Sequence, residues 1–167
     1  PSNNASIAGM GMASESHRKI IRLEAPSYSR PGHVFSVTIG TWPRQPIFSD
    51  LDYGQECIEI LGKLVGQKKN PVFAYCLMPD HVHLLAGGIE DSPLPKFLGS
   101  WKSLCYQARR RRGFPTRFWQ RSFFDRALRK DDDLRKAALY ILNNPVRAGL
   151  VDSYEKYLLS GSFELEL

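Results

Sequence analysis

The sequence predicts an α+β fold: one mainly antiparallel sheet with helices packed on a face. Three observations predict it. Strand-length runs rich in β-branched and aromatic residues alternate with stretches of helical periodicity, in the order β, α, β, β, α, β, α. Two of the strands are separated only by Met78-Pro79-Asp80, a turn that makes them a hairpin. With 167 residues, the chain has room for one domain and tails.

Residues 1–16 (PSNNASIAGMGMASES) carry one charge and little apolar content, so the stretch to residue 30 reads as a flexible N-terminal tail. Residues 33–42 (HVFSVTIGTW) read as a first strand. From 50 to 68, Cys57, Ile58, Leu61, Leu64 and Val65 recur at helical spacing behind Asp50, an N-cap residue type. Residues 72–77 (VFAYCL) and 81–86 (HVHLLA) form the hairpin. Pro95 fits the first turn of a helix running to Arg112, with an apolar stripe of Phe97, Leu98, Trp101, Leu104, Cys105 and Ala108. Gly113 and Pro115 end it. Residues 117–128 read as a fourth strand, and 131–143 as a third helix with acidic residues at its positive end. The domain is therefore expected over 31–151, with 152–167 as a C-terminal extension.

Composition excludes several classes. A chain 43% hydrophobic and 24% charged is not wholly disordered. No stretch approaches the roughly 20 apolar residues of a membrane span, and no basic start precedes an apolar signal core. Cys57, Cys76 and Cys105 form no CxxC pair, so they read as reduced thiols packed as small hydrophobes in a cytosolic protein.

The net charge of +6 is concentrated. Residues 101–130 hold Lys102, Arg109, Arg110, Arg111, Arg112, Arg117, Arg121, Arg126, Arg129 and Lys130 against Asp125 alone, a local charge of +9. Aromatic residues are interleaved with these cations, from Trp101 to Phe124. Cations for phosphates beside rings for bases are what single-stranded nucleic acid requires. A solvated helix face followed by a core strand is the alternative. Helical periodicity places Trp101 in the core, whereas Trp119 is open to either use.

His81 and His83 are two apart on a strand, so both imidazoles share a face while Val82 and Leu84 take the other. Paired imidazoles supply two ligands to a divalent metal; two half-exposed polar residues on an edge strand are the alternative. On the last helix Tyr140 and Asn144 stand one turn apart, with Lys136 one turn earlier. The stripe of Leu134, Ala138 and Ile141 is centred roughly 130° from Tyr140, so the phenol is not mid-core. It is a boundary tyrosine, or a nucleophile where a metal polarises a phosphate. An amide oxygen such as that of Asn144 suits Mg²⁺ or Mn²⁺, and Lys136 is placed to lower the phenol's pKa or contact phosphate.

Met78-Pro-Asp-His-Val-His-Leu-Leu85, Phe118-Trp-Gln120, Asp125 and Tyr140-Ile-Leu-Asn-Asn-Pro-Val-Arg-Ala-Gly-Leu-Val151 together resemble the REP-associated tyrosine transposases, of the single-tyrosine, HUH-type superfamily. The resemblance covers about residues 31–151. It implies a ferredoxin-like, RRM-like palm. It implies that His81, His83 and Asn144 bind Mg²⁺ or Mn²⁺. Tyr140 would attack single-stranded DNA at hairpin-forming palindromes, giving a 5′-phosphotyrosine link and a free 3′-OH. DNA would be held by Lys102, Arg109, Arg110, Arg111, Arg112, Arg117, Trp119, Arg121, Arg126, Arg129 and Lys136. The resemblance also implies a bacterial, cytoplasmic protein, nucleoid-associated when on DNA, acting as a monomer or homodimer.

The sequence departs from that pattern at Asp125-Arg126, where many members carry Asp-His. An arginine adds phosphate affinity but shuttles no proton. Two other readings follow: a domesticated relative that binds DNA hairpins without cutting them, and a metal-dependent hydrolase of small molecules using His81 and His83.

Overall fold

A computed structural model describes residues 25–129 and 133–166. Most of the expected tail, residues 1–24, lies outside the described residues, as do 130–132 with Lys130 and Asp131. The expected α+β architecture is present as a five-stranded sheet whose neighbouring strands are antiparallel. In chain order the elements are β1 (Val34–Gly40), α1 (Leu51–Lys68), β2 (Val72–Met78), β3 (His81–Gly87), α2 (Leu94–Arg111), β4 (Phe124–Ala127), α3 (Leu134–Leu142), α4 (Asn144–Arg147) and β5 (Ser160–Gly161). The sheet order is β4-β1-β3-β2-β5. No helix among the described residues is long and apolar enough to cross a membrane.

Local chemistry sets the helix starts. Asp50 caps α1 by accepting from Tyr53 N at 3.0 Å, and Asp133 caps α3 by accepting from Arg135 N and Lys136 N. Pro95 stands in the first turn of α2, where its missing N–H costs nothing.

The two faces of the sheet differ. Phe35, Val37 and Ile39 of β1, with Val82, Leu84 and Ala86 of β3, are fully buried against α1 and α2. Trp101 is completely buried there and donates its indole N–H to Cys57 O at 3.0 Å. On the opposite face, Ala138 and Ile141 of α3 pack on Ala74, Cys76, Met78 and Leu85. That helix covers β2 and part of β3, and leaves the β1–β4 side of the face open. All three cysteines are free and buried, as small hydrophobes would be.

Three boundaries differ from the sequence reading. The strand expected over 117–128 is confined to Phe124–Ala127. Phe118 and Trp119, adjacent in sequence, both pack into the core, which an alternating strand does not allow. Residues 118–120 still run beside the end of β1, through Trp42 N to Phe118 O and Gln120 N to Gly40 O. At the N-terminus, Ala25–Ser29 form a 3-10 helix whose Tyr28 is buried and donates to Asp125 Oδ2 at 2.9 Å, so the packed domain begins before residue 31. A Cβ on Gly88 would lie 1.6 Å from Tyr28 O, so only glycine permits this approach. At the other end, Leu159 is buried and Ser160–Gly161 extend the sheet along β2, so the extension is part of the fold.

Candidate active site and nucleic-acid surface

The β1–β3 register places Thr38 opposite His83 and Gly40 opposite His81. Both imidazoles therefore share the open face, as strand alternation requires. Their Nε2 atoms are 3.0 Å apart, with the rings nearly perpendicular. Each outer nitrogen has a partner. His81 Nδ1 lies 2.6 Å from Asp80 Oδ1, and His83 Nδ1 lies 3.1 Å from Thr38 Oγ1. A carboxylate only accepts, so His81 Nδ1 carries a proton. A hydroxyl donates or accepts, so Thr38 serves His83 in either tautomer. Burial, His81 and Arg147 together push the His83 pKa down to about 4, which keeps that ring neutral. At this separation the two Nε2 atoms share a proton as a hydrogen bond, or hold a cation between them.

Asp80 is itself held by Arg44 at 3.6 Å. The histidines line a cavity of about 330 Å³ with Thr38, Gly40, Gln120, Ser122, Phe123 and Phe124. A Cβ on Gly40 would meet the Gln120 side chain at 2.7 Å, so glycine lets that side chain form the wall.

Tyr140 lines a neighbouring cavity rather than this one. Its ring is 61% exposed, in keeping with its position off the apolar stripe. Ser36, Arg126, Asp133, Lys136 and Ala137 share that cavity of about 490 Å³, so Lys136 falls on the expected side. Strands β1 and β4 join the two cavities: Thr38 and Phe124 belong to the first, Ser36 and Arg126 to the second. Arg147 lines neither cavity but acts on a residue of each. Its guanidinium stands 4.2 Å over the Tyr140 ring, and its charge reaches His83.

The last helix is broken at Asn143, and α4 restarts with Pro145 in its first turn. Asn144 still sits one turn from Tyr140: its Nδ2 donates to Ile141 O at 2.9 Å and to Tyr140 O at 3.4 Å. Two carbonyl acceptors fix the amide orientation and leave Oδ1 as the atom for a ligand. Among the described residues no three His, Cys, Asp or Glu side chains converge as a metal site.

The basic segment divides into distinct populations. Lys102, Arg110, Arg111 and Arg117 line a groove of about 750 Å³ with Tyr106 and Trp119. Arg109 instead stacks over Tyr53, Phe114 and Phe118, at 5.6, 4.6 and 5.5 Å. Arg112 is bound to Glu56 at 2.9 Å, which Arg111 also reaches at 3.3 Å. Trp119 packs against Phe48, Trp101 and Phe118 and donates to Lys102 O, so its half-buried ring serves the core as well as the groove. Lys102 Nζ donates to Gln120 O at 2.7 Å, linking this groove to the wall of the histidine cavity. Arg121 and Arg129 are exposed on either side of β4. Sequence reasoning assigned no role to Asp80, Thr38 or Arg147, and took Phe124 only as one of the aromatic rings interleaved with the basic segment. Strand alternation through β1 and β4 was the signal for Thr38 and Phe124.

A family model described as "Transposase IS200 like" matches residues 33–144. No curated protein matches the chain. Among solved structures, one of a REP-associated tyrosine transposase bound to a REP hairpin aligns at a TM-score of 0.65 and 21% identity, over 80% of this chain and 78% of that one. Another, described as a candidate transposase from Deinococcus radiodurans R1, aligns at a TM-score of 0.48 and 20% identity, over 66% of this chain and 88% of that one.

Proposed function

The chain belongs to the IS200-like transposase family, and from that premise we propose that it is a metal-dependent single-strand endonuclease and strand transferase acting on hairpin DNA. The observation that carries this reading is the pair of Nε2 atoms 3.0 Å apart on an open sheet face, next to a cavity holding an exposed tyrosine. His81 and His83 fit a divalent ion: both rings offer nitrogen, and their outer nitrogens are oriented by Asp80 and Thr38. Asn144 Oδ1 is the candidate third ligand. Mg²⁺ or Mn²⁺ held there supplies positive charge to the phosphate's non-bridging oxygens as the transition state gains negative charge.

The chain's own groups do the rest. Tyr140 Oη attacks phosphorus in line; the tyrosyl O–P bond forms as the P–O3′ bond breaks, and the proton lost from the phenol is made up on the 3′ oxygen through solvent, so that it leaves as a hydroxyl. The new bond conserves the energy of the old one, so strand transfer back to a 3′-OH needs no nucleotide cofactor. Lys136 and Arg126 flank Tyr140 and hold the backbone to either side. Arg147 spans the phenol and His83, and places positive charge between them. The groove of Lys102, Arg110, Arg111 and Arg117 binds phosphates of the same substrate, with affinity that falls steeply with salt.

Labelled hairpin DNA with a single-stranded flank tests this reading in Mg²⁺ or Mn²⁺. A covalent protein–DNA adduct is expected from the native chain. Tyr140→Phe should abolish it and retain binding; an adduct that persists in that variant refutes the nucleophile. The position of Arg126, inside the Tyr140 cavity where many relatives have histidine, favours the hairpin-binding alternative. Tight, salt-sensitive binding with no metal-dependent cleavage by the native chain would select it.

A further inference from the structure

A large apolar ring stands on the open face, left exposed by the described residues. Phe124 begins β4 and is the cross-strand partner of Thr38, which pairs in turn with His83. The three side chains thus lie in one row across the face. The Phe124 ring is 67% exposed and forms part of the histidine cavity. Edge strands ordinarily carry charged or polar groups at such positions. A phenylalanine facing water there contributes little to folding, since α3 covers β2 and part of β3 instead.

Its surroundings define an occupant. Arg44 contributes to the same cavity and Arg126, two residues along β4, to the next. Asp80 is the carboxylate lining the first cavity, and it is engaged by His81 and Arg44. Cations to either side with a flat apolar ring between them match a nucleotide: the phosphates go to the cations, and the base needs a π-face. The ring lies two strand spacings, roughly 10 Å between backbones, from His83. That is within reach of a base whose phosphate lies at the histidines.

We propose that Phe124 is a stacking platform for the unpaired base beside the scissile phosphate. The inference rests on the strand-transferase reading and adds to it the subsite that holds the substrate's base. Stacking discriminates little among bases, so Phe124 sets position and affinity rather than sequence.

The test uses the full chain with a DNA hairpin whose oligothymidine flank carries 2-aminopurine, moved one position at a time. Binding to the native chain should quench the fluorophore at one flank position. Phe124→Ala should remove the quench and weaken binding about 5- to 150-fold, the range of one lost base–ring stack. Phe124→Trp should restore both. The thermal midpoint of Phe124→Ala should match the native one, because the ring is exposed. Unaltered quench and affinity in Phe124→Ala overturn the proposal. So does a change confined to sedimentation behaviour, which would make the ring a contact between copies. An adduct that forms normally while Phe124→Ala leaves the quench intact refutes the platform alone. Loss of the quench in Phe124→Ala, with no adduct from the native chain, supports the platform and refutes the transferase.

Discussion

Two hydrogen bonds orient the histidine pair, and they differ in strength, so they make an ordered prediction. Asp80 to His81 is short, at 2.6 Å, and involves a carboxylate; Thr38 to His83 is 3.1 Å and involves a neutral hydroxyl. A hydrogen bond to a charged group contributes roughly 1.5–3 kcal/mol, a neutral one roughly 0.5–1.5 kcal/mol. At about 1.4 kcal/mol per factor of ten, Asp80→Asn should weaken metal binding about 10- to 100-fold. Thr38→Val should weaken it about 2- to 10-fold. Both variants should fold. Valine is nearly isosteric with threonine and suits a strand, and Asp80 is in the turn between β2 and β3, outside the core. Calorimetric titration with Mn²⁺ reads the affinity, and adduct formation on hairpin DNA reads the consequence. Indistinguishable affinities in all three proteins, or a larger loss in Thr38→Val than in Asp80→Asn, would refute the orientation argument.

Two further outcomes test how the fold distributes its charged and phenolic groups. Removing a phosphate-binding cation lowers the salt slope of DNA binding by about one. Arg110→Ala and Arg117→Ala should therefore each lower it, whereas Arg109→Ala should lower the thermal midpoint and leave the slope unchanged, since Arg109 sits under three rings; a lower slope in Arg109→Ala contradicts that division. The Tyr157 hydroxyl donates to Leu77 O at 2.8 Å, and burial pushes its pKa up to about 12. The unfolded phenol ionises near pH 10, so the native state holds the extra proton and stability falls with rising pH between about 10 and 12. Tyr157→Phe should flatten that slope in urea titrations and cost about 1 kcal/mol at neutral pH; an unchanged alkaline slope counts against the assignment.

The central hairpin was readable because its chemistry is local. A proline turn fixes where the chain reverses, and a period of two puts His81 and His83 on one face. The exposure of Tyr140 followed from helix geometry in the same way. What escaped the sequence depends on contacts between distant segments. Phe118 and Trp119 look like strand residues, and only the core between α1 and α2 draws both inward. Residues 159–161 lack a pattern strong enough to mark a strand, and Gly161 joins the sheet because Tyr75 lies opposite it. The run Arg109–Arg112 reads as uniform charge, yet helix rotation turns Arg109 onto aromatic rings and Arg112 toward Glu56. Arg147 lies beyond the end of the helix expected over 131–143, so it was not placed on a helix face, although its spacing from Tyr140 is helical.

The geometry of the proposed site then depends on a part of the molecule that carries no chemistry. His81, His83 and Thr38 are set by strand pairing, which holds backbones at fixed spacing. Tyr140 is set by how deeply α3 seats on β2 and β3, and that seat is apolar: Ala138 and Ile141 against Ala74, Cys76, Met78 and Leu85. Small residues on both sides let the helix approach closely. The break at Asn143 fixes the other end, since Pro145 is buried and directs α4, with Arg147, back over the phenol. The interval between Tyr140 and the histidines is therefore a packing distance, and side-chain volume beneath α3 controls it without touching either.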